Sequence, residues 1–288
     1  VAEAVADEVI AVPRRGSGGA PRGKGVGTYL RRAVVIVYLV LLVAWPVGLV
    51  AKETFSHGFE SLQQALSDDV VVHALRLTGV VALTSVLINL FFGVGISLLL
   101  VRYRFPGRRL LSALIDLPLS VSPVVVGLAL VLVYGGRDGW FGPSLEGAGF
   151  QVIFATPGMI LATVFVSLPL VIREVVPVLE EIGVEQEQAA RSLGANAVQT
   201  FRRITLPSIR WAVVYGVVLS LARSLGEFGA VKIVSGNIVN RTQTTTLVVE
   251  QKYQDFEQAT AYAAAFLLAA ASVVCIVIVS IIRPKDPT

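Results

Sequence analysis

Apolar residues gather into six long runs along this chain of 288 residues, at about 33–51, 75–101, 113–134, 156–176, 211–234 and 262–282. Polar and charged stretches separate them. Each run is close to or above the ~20 residues that a helix needs to cross a ~30 Å hydrocarbon core. Lipid offers no partners to backbone N–H and C=O groups, and the runs are too long and continuous for barrel strands. The pattern therefore predicts an all-α membrane protein with six transmembrane helices. Gly93 and Gly95 in the second run, and Ser120, Ser122 and Gly127 in the third, are small enough to let helices approach closely. Pro118, Pro123 and Pro169 interrupt regular backbone bonding, which marks residues 116–123 as a candidate wall or gate of a pathway.

Composition agrees: 55% of residues are hydrophobic, only 15% are charged, and the mean hydropathy is +0.74. The isoelectric point near 9.4 would suggest nucleic acid if the cations formed one patch. They do not. Arg14, Arg15, Arg22, Lys24, Arg31 and Arg32 precede the first run, and Arg102, Arg104, Arg108 and Arg109 follow the second. Arg173, Arg191, Arg202, Arg203 and Arg210 lie between the fourth and fifth, and Arg283 and Lys285 close the chain. The alternate loops hold Lys52, Arg137, Arg241 and Lys252, with Arg76 at a run's edge. The asymmetry predicts that both termini and the loop of residues 184–207 face the cytoplasm. The basic charge then reports topology and predicts no nucleic-acid partner. Residues 1–28, rich in Gly, Arg and Pro, are expected to form a disordered basic tail ahead of a single transmembrane domain over 29–288.

The loop of residues 184–207 carries helix-turn-helix chemistry. Gly194 is a natural left-handed stop for a first helix. Asn196 with Gln199 offers a capping box for a second helix, which Pro207 is expected to end. The second helix would place Ala197, Val198, Phe201 and Ile204 on one stripe. A half-apolar elbow on the cytosolic face predicts a protein partner.

Arg223 and Glu227 stand four apart inside the fifth run, so they share a helix face and can pair. Each isolated charge at that depth costs roughly 2.5–3.5 kcal/mol on insertion scales, so both should face the bundle interior or a watery path. Ser120 and Ser122 join them as candidate pathway residues.

Other motifs carry less. Gly18 to Lys24 matches the start of a phosphate loop, but Gly25 stands where a magnesium-holding hydroxyl belongs. His57 and His73 flank a loop with acidic neighbours and read more simply as solvated residues than as metal ligands. Cys275 is the only cysteine, and no Ser/His/Asp or Cys/His set is evident. No catalytic residue, metal site or cofactor site of this chain is predicted.

The spacing Gln188-Ala189-Ala190, Gly194, Ile204-Thr205-Leu206-Pro207 resembles the EAA loop of ATP-binding-cassette (ABC) importer permeases, with Gln188 at the Glu position and Glu187 just before it. The run Arg223-Ser224-Leu225-Gly226-Glu227-Phe228-Gly229 is similar to the fifth span of permeases for sulfate, thiosulfate and molybdate, and the chain looks most like their CysW-type branch. The resemblance implies a type I importer bundle whose coupling helix seats Glu187, Gln188, Ala189, Ala190, Gly194, Ile204, Leu206 and Pro207 against one of a pair of ABC ATPase subunits. It also implies a related second permease, forming a heterodimer, and an extracytoplasmic sulfate-binding protein. ATP and Mg would be used by the ATPase, and transport across a bacterial plasma membrane would proceed by alternating access. A molybdate or tungstate permease and an ATPase-independent anion channel are the alternatives.

Overall fold

The computed structural model describes residues 26–56 and 58–282, with side chains described for 29–56 and 58–277. The tail expected over 1–28 lies outside the described residues as far as residue 25, as do the Gly18–Lys24 motif and His57; residues 26–28 already belong to a helix. The chain divides into two compact units, Val1–Leu49 and Val50–Thr288.

In the first unit α1 (Val26–Leu39) runs through a π turn, Val40–Ala44, into α2 (Trp45–Thr54), whose last residues fall in the second unit. From residue 33 to 51 the segment is mostly Leu, Val, Ile and Ala, apolar and long enough for a membrane span. The π turn has a local cause. Pro46 has no N–H and its ring crowds the carbonyl four residues back, and a widened turn, with the Trp45 N–H bonded to the Val40 carbonyl, relieves both.

The second unit continues with α3 (Glu60–Ser67), α4 (Asp69–Arg102), α5 (Arg108–Ser120), α6 (Pro123–Tyr134), α7 (Gly142–Gly147) and α8 (Thr156–Ile182). There follow α9 (Glu185–Ser192), α10 (Ala197–Thr200), α11 (Leu206–Leu225), α12 (Gly229–Ser235), α13 (Thr245–Gln254) and α14 (Gln258–Ile282). Among the described residues five helical segments are long and apolar enough to cross a membrane, and α5 with α6 makes a sixth if the bent pair counts as one span. The third run is bent within the stretch where Pro118 and Pro123 were expected to interrupt backbone bonding. Pro123 disfavours helical backbone at Ser122, which is extended (φ −59°, ψ 134°) like Val121 before it, and the axis turns by 116°. The fourth run, expected to end near residue 176, continues as α8 to Ile182, so Arg173 lies well inside the helix.

The centre of the unit is the trio α4, α8 and α11. Val94, Val171, Val175, Leu179, Ile209 and Val213 form one apolar cluster among them. Glycine makes the contact close: a β-carbon on Gly93 would stand 2.8 Å from Val171 Cγ1, and one on Gly216 3.0 Å from Val171 Cα. Gly127 similarly admits Ile233 and the Ala230 carbonyl, whereas Gly95 faces open space and serves no such contact. Inside the trio, Asn89 Nδ2 donates to Ser167 Oγ (2.7 Å) and Ser220 Oγ (3.3 Å), and Ser224 Oγ lies 3.3 Å from Ser167 Oγ. In lipid, hydrogen bonds of this kind bind helices where the hydrophobic effect cannot.

A polar clamp fixes α13 to the start of α4. Lys252 Nζ lies 2.8 Å from both Asp68 Oδ2 and Glu257 Oε2. Burial pushes the Asp68 carboxyl up, but the Lys252 ammonium and the N–H groups of Val70 and Val71 outweigh it and hold its pKa below the ordinary value. Bonds to Asp68 and Glu257 raise that of Lys252.

Candidate functional site

The elbow forms from local sequence rules. The helix α9 ends at Leu193, and Gly194 follows at φ +87°, a left-handed conformation that costs a side-chain-bearing residue. The Ala195 N–H bonds the Ala190 carbonyl and the Gly194 N–H bonds the Arg191 carbonyl, both at 3.0 Å, which completes a Schellman stop. The capping box is present in full: the Gln199 N–H donates to Asn196 Oδ1 (2.8 Å), and the Asn196 N–H to Gln199 Oε1 (2.9 Å).

Pro207 does not end the second arm. The helix runs from Ala197 to Leu225 through a π turn at Phe201–Thr205, with the Leu206 N–H bonded to the Phe201 carbonyl. This is the device seen before Pro46: Pro207 can neither bond nor tolerate the carbonyl four residues back, so the helix widens instead of stopping. Ser208 Oγ donates to the neighbouring Ile204 carbonyl at 2.7 Å. The wider turn also divides the expected apolar stripe. Phe201 turns toward the Val171 cluster and Ile204 is half-buried, while Val198 stays 65% exposed and Leu193 89% exposed. Gln188, Ala189, Gly194, Leu206 and Pro207 are exposed and Ala190 is half-buried, so the outer surface of the elbow is largely free within this chain.

Glu187 is the exception. It is buried, and its Oε1 accepts from Thr205 Oγ1 (2.9 Å) and Arg102 Nε (3.2 Å), with Arg102 Nη2 at 3.1 Å. Arg102 Nη1 also donates to the Leu179 carbonyl at 3.1 Å. One carboxylate thus ties α9 to the end of α4 and to the π turn ahead of α11, and through Arg102 to α8. A cavity of about 320 Å³ lies beside this tie, lined by Arg102, Glu187, Gln188, Arg191 and Thr205 among others. Sequence reasoning missed Arg102 and Thr205; a cation ending the second run, 85 residues before Glu187, gave no sign of its partner.

Arg223 and Glu227 do pair, with Nη1 and Oε2 2.8 Å apart, but not along one continuous helix. The helix α11 ends at Leu225, and Glu227 sits in the break before α12, buried, while the Arg223 side chain is 38% exposed. Glycine at 226 weakens helix there. Glu227 Oε1 takes the Ala230 N–H at 3.1 Å at the start of α12, and Thr246 Oγ1 donates to the Glu227 carbonyl at 2.9 Å. Two breaks then meet. A β-carbon on Gly229 would lie 3.1 Å from Pro123 Cβ, so the bend of α5–α6 seats against the break of α11–α12. Ser120 and Ser122 stand exposed at that bend.

Bundle, broken spans and projecting elbow define a multi-pass membrane protein of the importer-permease class. Its fold matches that of a bacterial alginate ABC transporter solved in complex with an alginate pentasaccharide-bound periplasmic protein, with a TM-score of 0.72 and 16% identity over 87% of this chain and 91% of that one. The chain belongs to the family of binding-protein-dependent transport system inner membrane components, whose model matches residues 89–285. It is 46% identical over 272 residues to the sulfate transport system permease protein CysW of Synechococcus elongatus, covering 94% of this chain and 95% of that protein. It is also 34% identical over 259 residues to the sulfate transport system permease protein CysT of Salmonella typhimurium, covering 90% and 93% respectively.

Proposed function

We propose that this chain is a permease subunit of an ATP-driven importer that carries sulfate or thiosulfate across the bacterial plasma membrane by alternating access. Near-complete alignment with a protein named a sulfate permease supports the cargo. Relatedness to both CysW and CysT proteins supports pairing with a second, related permease in a heterodimer. The alginate transporter, solved with its periplasmic protein bound, supports delivery by an extracytoplasmic binding protein.

The observation that carries the coupling step is the elbow: an outward-facing surface at Gln188, Ala189, Leu193 and Val198, backed by the buried Glu187 tie. In this reading the elbow docks on an ABC ATPase subunit, one of a pair, and both termini lie on the same cytosolic side. ATP and Mg act in that partner, and this chain binds no cofactor. Closure of the ATPase pair moves α9, and the Arg102–Glu187–Thr205 tie conveys the movement to α4 and α11. Arg223 supplies positive potential near the paired breaks, and Glu227 holds the guanidinium there. Switching requires each state to differ in its contacts with substrate, binding protein or nucleotide.

The test is uptake by proteoliposomes carrying this chain, its partner permease, the ATPase and the binding protein, supplied in turn with labelled sulfate, thiosulfate and molybdate. ATP-dependent accumulation of sulfate or thiosulfate is expected. Accumulation of molybdate alone would sink the cargo assignment, and anion flux without ATP or the ATPase would point to a channel.

A further inference from the structure

Another charged pair joins α5 to α8, about one turn before the bend that follows α5. Arg173 on α8 donates from Nε (3.1 Å) and Nη2 (2.9 Å) to Asp116 Oδ1 on α5. The two side chains are 58% and 49% exposed in this chain. Asp116 stands eight residues into α5 and Arg173 nine residues before the end of α8. At about 1.5 Å per residue both lie roughly 12–14 Å inward from the helix ends nearest the elbow. Acyl chains at such a depth are a costly neighbour for an arginine and an aspartate.

The rest of α5 shows what meets them. Wound at about 100° per residue, the helix has three faces. Leu111, Ile115 and Pro118 turn toward the bundle, and Ile115 and Pro118 are buried. Leu110, Leu114 and Leu117 form an exposed apolar face suited to lipid. Arg109, Ser112, Asp116 and Ser120 share the third face, exposed or half-exposed, with exposed Ala113 and Leu119 at its two edges. An outer surface split in this way meets two media, and the polar side needs water or a polar partner.

We propose that the polar face of α5 lines the water-filled path of the transported oxyanion, and that Arg173 is the cation the anion meets there. This rests on the oxyanion-importer reading above. Both bonds from Arg173 end on a single carboxylate oxygen, so a five-donor guanidinium keeps donors for a second acceptor, and its planar fork suits paired oxygens of a tetrahedral anion. Asp116 neutralises and aims the guanidinium between passages. Its competition keeps the anion weakly held, and weak holding is what a conducting path requires.

The test uses the complete transporter with Cys275→Ser, so that introduced cysteines are the only ones in this chain. Ser112→Cys and Ser120→Cys should react with the anionic, water-soluble reagent methanethiosulfonate ethylsulfonate, and Leu114→Cys should not. Failure at both polar positions would mean that the face packs against the partner permease, and equal reaction at Leu114→Cys would remove the asymmetry; either overturns the proposal. For the anion contact, Arg173→Lys should lower sulfate uptake about tenfold or more at unchanged membrane abundance, the scale of one charge-assisted hydrogen bond. The exchange Asp116→Arg with Arg173→Asp should keep membrane abundance but not uptake. Full uptake by the exchanged pair would leave only a structural bridge and refute the anion contact. No sulfate or thiosulfate uptake by the unaltered complex would sink the importer reading instead, which losses confined to the Arg173 variants cannot do.

Discussion

Removing the Glu187 carboxylate should disconnect the elbow from the bundle. Its Oε1 receives Thr205 Oγ1 at 2.9 Å and the Arg102 guanidinium at 3.1–3.2 Å, with the Arg102 and Glu187 side chains only 11% and 12% exposed. In Glu187→Ala, Arg102 keeps the Leu179 carbonyl but loses its counter-charge. Breaking a buried pair from one side costs about 3–5 kcal/mol, which corresponds to roughly 100-fold or more in the opening equilibrium of the segment. Glu187→Gln retains an acceptor for Thr205 and loses only the charge, so its cost should be about 1–2 kcal/mol, the gap between charged and neutral hydrogen bonds. Hydrogen exchange over residues 185–205 reads the opening, and sulfate taken up per ATP hydrolysed reads the coupling. Both should worsen in the order wild type, Gln, Ala, with ATP hydrolysis itself persisting. The exchange Arg102→Glu with Glu187→Arg should recover part of the loss. Unchanged exchange and coupling in Glu187→Ala would refute the tie. So would rescue by a charge reversal in the ATPase and not at Arg102, because Glu187 would then be an external docking carboxylate.

Three further outcomes follow from the packing and the clamps. Gly93→Ala forces a β-carbon to 2.8 Å from Val171 Cγ1 and should lower stability by about 1–3 kcal/mol in detergent melts, while Gly95→Ala, with open space around it, should not destabilise. Asn196→Ala removes the acceptor of the Gln199 N–H and should cost about 0.5–2 kcal/mol, seen as faster exchange over residues 197–200. For the Asp68–Lys252 clamp the lowered Asp68 pKa gives stability present above 3.8 and lost as pH falls through the folded value, and the raised Lys252 pKa gives stability present below 10.5 and lost as pH rises through its folded value. Asp68→Asn keeps the N-cap to Val70 but drops the charge, so its deficit of about 1 kcal/mol should be constant between about pH 5 and 9 and fade in stronger acid. A deficit that peaks near neutrality would point to another titrating group.

What could be read from the sequence was local, and what could not was either distant or a matter of degree. The six runs, the Gly194 stop and the Asn196–Gln199 box all rest on spacings within a few residues, and each is present, although the third run bends at Ser122 and the fifth breaks after Leu225. The Arg102–Glu187 and Asp116–Arg173 pairs join residues 85 and 57 positions apart, which no periodicity encodes. Arg173 was hidden further because the fourth run was expected to end near residue 176, which puts the charge at a span's edge, whereas α8 continues to Ile182.

Proline was legible as an interruption of a helix, but the form that the interruption takes was not. Pro207 was expected to stop a helix and Pro123 to interrupt one; the helix passes Pro207 and turns at Pro123. The ring imposes the same constraints at both places: no N–H, a crowded carbonyl four residues back, and a predecessor pushed away from helical backbone. Neighbours decide the answer. Before Pro207 the Phe201–Thr205 segment can widen by one residue, because Phe201 gains a place beside the Val171 cluster and Thr205 gains the Glu187 carboxylate. Before Pro123 the bend brings Pro123 and Val124 against Gly229, where a β-carbon would be tight, 3.1 Å from Pro123 Cβ. The widened turn therefore sits at the elbow tie and the sharp bend at the paired breaks, the two places to which the proposed function assigns movement. Tertiary contacts select between continuing and turning, and so a proline in a membrane span marks a candidate joint without revealing its angle.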